Sequence, residues 1–393
     1  MRAESPAIER SGATRQDAGP EGQRRPHLSQ VDIVRLITFV CVIGVHAIPM
    51  TTSAQSAGAG AAEVFLHFTR NAFFLLSAFV LVHAHHRAGV RVRSFWPRRF
   101  LYIGVPYLVW TTVYWLLGTG NRTDFGGLGS ALVTGTGWYH LYFLLVSMQL
   151  YLVFPALLAL VRRTAGHHVA LFTASFALEL VVMALTHWAT WPGAFWGGVY
   201  DHAYVLLPTY QFYFVAGALA AVHHDRLHAW VVRRPYAVLA AVAGAAVLLE
   251  GVYLTQLAVT GSPAQASDPL QPSIVPWSLA VTLGLYAVGC GYARHRRAGR
   301  RLGRLVDFAS VISFGVYLVH PLVLNVVLGR WLAYGPGHLG PPVSTALAWL
   351  GTLVVSFAFA ALAVRTPLAL SLTGRRRLRA SAAPRRAPRP SVA

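Results

Sequence analysis

Charge is scarce in this chain. Only 12% of its 393 residues are charged, 55% are hydrophobic, and the mean hydropathy is +0.51. That scarcity argues against an ordinary soluble domain. Lysine is absent altogether, so all 33 basic residues are arginine, against 13 acids. In a soluble protein a net charge of +20 would point to nucleic acid, but here the arginines come in bursts between long apolar runs. That is the pattern of membrane loops facing anionic lipid, and no nucleic-acid partner is expected. Cysteine is nearly absent too. Cys41 and Cys290 both fall inside apolar runs, which argues against a disulfide framework and against a cysteine-based metal site. No glycine-rich phosphate loop and no Gly-x-Ser-x-Gly nucleophile elbow occurs. Residues 1–30 lack the apolar core of a cleavable signal peptide, so the first apolar run is expected to serve as its own insertion signal.

What is present is a series of ten apolar segments, near 31–49, 61–83, 100–117, 138–161, 169–188, 203–222, 236–258, 275–293, 306–328 and 343–364. About 20 apolar residues cross a ~30 Å hydrocarbon core, so the predicted fold class is an all-α integral membrane protein, about ten transmembrane helices in one bundle. An even number of spans puts both termini on one side. Arginine counting identifies that side, since 29 of the 33 arginines fall in the loops and tails of one face. The opposite face keeps Arg70, Arg122 and Arg330, while Arg35 sits at the inner end of the first span. By the positive-inside rule both termini are cytoplasmic, and a multi-pass plasma-membrane protein is expected. The predicted organisation is a disordered basic tail over 1–30, one membrane domain over 31–366, and a basic low-complexity tail over 367–393 lying against anionic inner-leaflet lipid. The outer loops 118–137, 188–203 and 261–277 are rich in Gly, Pro, Ser and Trp. Their aromatics suit either an interfacial belt or a platform for stacking on sugar rings.

Ionisable groups inside the hydrocarbon cost roughly 2.5–3.5 kcal/mol each, so those retained need a reason. In the first span Arg35 and His46 are 11 residues apart. That is three helical turns plus roughly 20°, which puts both on one stripe, about 16 Å apart along the axis. Asp32, three residues before Arg35, can reach it across one turn. Either these residues anchor the span and His46 makes a helix–helix hydrogen bond, or the stripe carries chemistry, with His46 suited to general-base work. The second span places His67, Arg70 and Asn71 on one face near its outer end and Ser77 at its middle. Arg70 there either snorkels to the interface or contacts an anion or sugar. In the ninth span Ser313, Tyr317 and His320 form a stripe, and Pro321 is expected to loosen the local hydrogen-bond ladder. Glu179 and Glu250 lie alone within their spans, and each needs a partner from another helix or a proton. The histidine groups 83–87, 167–168 and 223–228 sit among arginines without carboxylate-rich sets, so they read as solvated loop residues and no metal is expected.

These landmarks come in a recognisable order. Arg-x10-His (Arg35, His46) is followed by Phe-Phe-x-x-Ser (Phe73, Phe74, Ser77), RRFLYIGVPYLVW (98–110), HLYFLLVSMQLYLVFP (140–155) and SFGVYLVHP (313–321). In this the chain resembles the acyltransferase 3 family of integral membrane acyltransferases over nearly the whole of 31–364. The resemblance implies transfer of an acyl group, usually acetyl, from cytoplasmic acyl-CoA to a hydroxyl of a surface carbohydrate, a lipid-linked sugar or a small molecule. By that match Arg35 and His46 take the positions of the essential Arg and His. Asp32, Arg70, Asn71, Ser77, Arg99, Tyr317 and His320 are the residues expected to bind donor or acceptor. Two departures stand out: the second arginine of a frequent Arg-x-x-Arg pair falls at Tyr102, and Ser-Gly is replaced by Ser77-Ala78. Both resemble a subgroup of proteins proposed to export or succinylate adhesin polysaccharide.

The implied route has the basic inner loops drawing in the CoA phosphates and the pantetheine arm threading past Arg35 toward His46. His46 is then either a general base for the acceptor hydroxyl or a covalent acyl relay. The competing reading is an exporter of a polysaccharide or small molecule, with the same polar groups lining its path.

Overall fold

The computed structural model describes residues 28–87, 89–118, 124–189, 193–296, 301–334 and 339–378. Nearly all of the predicted N-terminal tail, the last fifteen residues and Arg122 lie outside that set. All described regular elements are helical. The first half of the chain forms α1 (Ser29–Thr51), α2 (Ala57–Leu66), α3 (Phe68–His85), α4 (Val92–Gly118), α5 (Phe125–Thr134), α6 (Tyr142–Arg163), α7 (His168–Trp188) and α8 (Ala194–Asp201). The second half forms α9 (Gln211–Val222), α10 (His224–Arg233), α11 (Pro235–Thr260), α12 (Pro263–Ala266), α13 (Ile274–His295), α14 (Arg301–Tyr334), α15 (Pro341–Ala363) and α16 (Ala369–Thr373).

Nine of the described helical stretches are long and apolar enough to cross a membrane, with α2 and α3 acting as one span broken at His67. The predicted sixth span, 203–222, differs from expectation. Only α9 is α-helical there, and residues 203–205 and 207–210 form 3-10 turns. Pro208 has no N–H to give a helix ladder, and side chains take over the exposed backbone groups instead. Gln149 donates to Val205 O (2.8 Å) and accepts from Leu207 N (3.0 Å), while Thr209 and Tyr210 donate to Ala203 O and Tyr204 O. The fourth span also starts later than expected, at Tyr142, so Trp138–Leu141 form turns.

Helix α1 lies at the centre, packed against α3, α13, α14 and α15. Helices α3 and α9 pack closely. A β-carbon on Gly217 would collide with the Leu75 carbonyl and with Ala78, so only glycine lets these helices meet. Gly217→Ala is expected to destabilise the fold by about 1–3 kcal/mol through overpacking, read as a lower unfolding temperature in detergent. Glu179 finds a partner here: its Oε2 accepts from Gln211 Nε2 and Phe212 N of α9, both at 3.1 Å, while Oε1 has no hydrogen-bond partner among the described residues.

The segment after α15 departs from its expected character as a tail. Residues 369–373 form α16, which packs against α4, α14 and α15, with the Leu372 carbonyl accepting from Trp110 Nε1 at 3.3 Å. Gly374 takes the left-handed conformation (φ +62°). Thr373 is fully buried, and its neutral side chain suits an interior site better than the arginines that follow.

Candidate active site

Helix α1 carries Arg35 near its N-terminal end. His46 lies three turns further on. Half-buried, it lines a cavity of about 190 Å³ with Glu63, His67, Arg70, Tyr139, His140, Tyr142 and Tyr317. Its ring stacks on His320, with centroids 5.5 Å apart and planes at 24°, and packs against Tyr139 at 4.5 Å. His140 stands edge-on to His320 at 5.3 Å and to Tyr317 at 5.2 Å. Three imidazoles from α1, α14 and the turn before α6 therefore meet at one place.

Local backbone chemistry explains how two of these rings are held. Pro321 lacks an N–H, so the Tyr317 carbonyl four residues back loses its ladder partner. His320 Nδ1 lies 2.7 Å from that oxygen. A carbonyl only accepts, so Nδ1 carries the proton and Nε2 is left as a bare acceptor. Nε2 has no hydrogen-bond partner among the described residues, although His320 is 0% exposed. The Tyr114 hydroxyl wedges into the opened ladder, donating to Leu318 O at 2.8 Å and accepting from Leu322 N at 3.3 Å. His140 is placed by its backbone, since its carbonyl accepts from the Tyr317 hydroxyl. Both of its ring nitrogens are without a hydrogen-bond partner among the described residues, at 2% exposure. Buried polar atoms left unsatisfied cost about 1–3 kcal/mol each. Three such nitrogens lie beside one cavity, a local cost of the kind that functional sites carry.

The second-span residues divide. Arg70 lines the cavity, donating to Pro269 O at 3.0 Å and lying 4.9 Å above the Tyr210 ring. His67 Nε2 is 4.0 Å from Glu63 Oε1 on the same wall. Asn71 points elsewhere: its Nδ2 donates to Tyr213 OH and Ser278 Oγ, both at 3.0 Å, tying α3 to α9 and α13. Ser77, half-buried two turns further along α3, is not among the cavity residues.

At the arginine-rich end Arg35 Nη1 lies 3.6 Å from Asp32 Oδ1, which accepts from Ser310 Oγ at 2.8 Å. The expected pairing of Asp32 with Arg35 is present, and α14 shares it. Arg99 lies over the Tyr151 ring at 5.5 Å. Between this cluster and His46 the stripe of α1 is filled. Phe39 packs on Phe73 at 4.5 Å and on Tyr317 at 6.1 Å, and Phe143 packs on Phe73 and Tyr317. Thus packed aromatic rings, an aromatic plug, lie along α1 between the arginine cluster and the histidine cavity.

Sequence reasoning missed His140, Tyr139, Tyr142 and Glu63 as wall residues. His140 opened a quoted motif, but its imidazole enters the site only because a turn, not a helix, carries it. Among the loop histidines, His168 Nδ1 and His223 Nε2 are 2.8 Å apart, and His224 and His228 each reach the Tyr286 hydroxyl at 3.1 Å, away from this cavity.

A multi-pass helical membrane protein with a histidine-lined cavity is the class that fold and site define. A family model described as an acyltransferase domain matches residues 28–365. The chain belongs to this acyltransferase 3 family and is a membrane O-acyltransferase. No curated protein and no solved structure matches it significantly.

Proposed function

We propose that this acyltransferase takes an acyl group, with acetyl the expected one, from acyl-CoA at the arginine-rich end and delivers it to a hydroxyl in the histidine cavity. The observation that supports this most is the meeting of His46 and His140, which line one cavity, with His320 packed against both rings. His46 acts as general base: it takes the hydroxyl proton as the acceptor oxygen attacks the thioester carbonyl. The tetrahedral intermediate then expels CoA as thiolate, which recovers the proton from His46. In the relay form His46 attacks first, releases CoA and passes the acyl group to the acceptor. Either form needs Phe39, Phe73 and Tyr317 to part, because the thioester has to pass them. Arg70, Tyr142, His67 and Glu63 hold the acceptor, a carbohydrate, a lipid-linked sugar or a small molecule. The arginine bias supports a plasma-membrane location with both termini cytoplasmic. Tyr102 and Ala78 support a place in the subgroup resembling adhesin-polysaccharide succinyltransferases, for which succinyl-CoA is the donor to test beside acetyl-CoA.

The test is consumption of labelled acetyl-CoA and succinyl-CoA by the purified protein, paired with mass spectrometry of envelope glycans and exported metabolites with and without the gene. Loss of one acyl mark with export intact is the expected outcome. Loss of export with acylation unchanged would instead assign an exporter.

A further inference from the structure

We propose that the C-terminal segment 369–378 is a working part of the donor mouth and that Arg375 binds the phosphate groups of acyl-CoA together with Arg35 and Arg99. This rests on the donor reading above, and it assigns a substrate contact to a stretch whose sequence reads as a lipid-hugging tail.

Placement comes first. A β-carbon on Gly374 would sit 2.7 Å from Tyr102 O and 2.5 Å from the Phe314 ring, so the chain is pressed between α4 and α14 at that point. Tyr102 is one helical turn beyond Arg99, and Phe314 is one turn beyond Ser310, whose hydroxyl holds Asp32 beside Arg35. Arg375, the next residue, therefore emerges among Arg35, Asp32 and Arg99. The segment is fastened on both sides. Leu372 O accepts from Trp110, Leu378 N donates to Val364 O at 2.9 Å, and Arg377 Nε donates to Arg365 O at 2.8 Å. A solvated tail has no reason to be so held.

Charge then specifies the ligand. Arg35 and Arg375 share one carboxylate, Asp32, and Arg99 joins Arg35 at Tyr151. Of the other described acids at this end, Asp307 is paired with Arg296 and Asp225 lies beside His224. Desolvation at the mouth and the facing Arg35 charge hold the Arg375 guanidinium below its ordinary pKa, with Asp32 opposing. Like charges crowded into a partly desolvated place are costly unless an anion joins them. The planar guanidinium fork matches phosphate oxygens. A diphosphate and a ribose phosphate together supply the several negative charges that this excess calls for. A phospholipid headgroup carries the same chemistry, so the test separates the two.

The experiment measures dissociation constants for CoA and for pantetheine, which shares the thiol arm and lacks the phosphates, using the full chain in phosphatidylcholine nanodiscs. Arg375→Ala is expected to weaken CoA binding about tenfold and to leave pantetheine within twofold. Arg376→Ala, one residue further along the same exposed run, is expected to match wild type. If the alanine variant does not purify as a single species, Arg375→Lys keeps the charge without the fork and is expected to lose about threefold for CoA alone. Unchanged CoA affinity, or an equal loss for pantetheine, overturns the assignment. So does a response confined to discs containing phosphatidylglycerol, which would give the arginine to lipid. Wild-type protein that binds no CoA at all would instead remove the donor reading itself.

Discussion

His46→Ala is expected to lower kcat for acyl transfer by roughly 10²–10⁴-fold, the range that a positioned proton-transfer group contributes. The variant is expected to fold, because the ring is half-buried at a cavity wall and makes no hydrogen bond to another described residue; its packing is against His320 and Tyr139. KM for the donor is expected to change little, since the arginine cluster lies about 16 Å away along α1. The readout is transfer of labelled acyl group from acyl-CoA, beside a size-exclusion profile and an unfolding temperature. Acid quenching of the wild type during turnover separates the two chemical forms. A protein carrying one extra acyl mass at His46 means the relay, and unmodified protein means direct transfer. Activity within threefold of wild type in a folded His46→Ala protein would remove this residue from the chemistry and leave His140 and His320 as the imidazoles to test next.

Part of this site was legible before any coordinates. The 11-residue interval between Arg35 and His46 obliges one helical stripe, and Asp32 sits where a turn brings it to Arg35. Those are local constraints of a single helix, and the structure keeps them. The exclusion of an ordinary soluble fold was equally local, since it needs only long apolar runs. What escaped was set by tertiary contact. His140 reaches the cavity because a Tyr317 hydroxyl seizes its backbone carbonyl from another helix. Gln211 reaches one oxygen of Glu179 across α7 and α9, a pairing that no spacing encodes. Asn71 shared a helical face with Arg70 on paper, but one residue of rotation turns it onto Tyr213 and Ser278 instead of the cavity. Arg375 was hidden by its own neighbours, because one docked arginine inside an arginine run looks like all the rest.

The aromatic plug bears on how such parts cooperate. A static open channel from the arginine cluster to His46 would let water and acyl-CoA meet the imidazoles without an acceptor, and hydrolysis would compete with transfer. With Phe39, Phe73 and Tyr317 in place the two ends are kept apart. Tyr317 is the hinge of this arrangement. Its ring belongs to the plug, its hydroxyl holds His140, and its carbonyl holds His320. A displacement of that residue by the incoming donor would therefore be felt by both imidazoles at once.

Pro321→Ala tests that coupling from the backbone, and its two expected effects have opposite signs. Restoring the N–H at 321 lets it donate to Tyr317 O and straightens α14, and it lets Leu322 N close on Leu318 O. A proline inside a helix costs about 3 kcal/mol in an ordinary setting, and the Tyr114 wedge already offsets part of that, so a gain of about 1 kcal/mol in stability is expected. His320 then has to share the carbonyl that now fixes its tautomer, and its ring shifts relative to His46. Misplacement of a reacting group by about 1 Å can cost 10²-fold in rate, so kcat is expected to fall by roughly that factor while the unfolding temperature rises. A simple structural role for Pro321 predicts the reverse pairing, lower stability with activity falling in step. Higher stability with full activity would mean that the position of His320 does not matter to the chemistry. Only the combination of a stiffer helix and a slower enzyme fits a proline kept for the carbonyl it sets free.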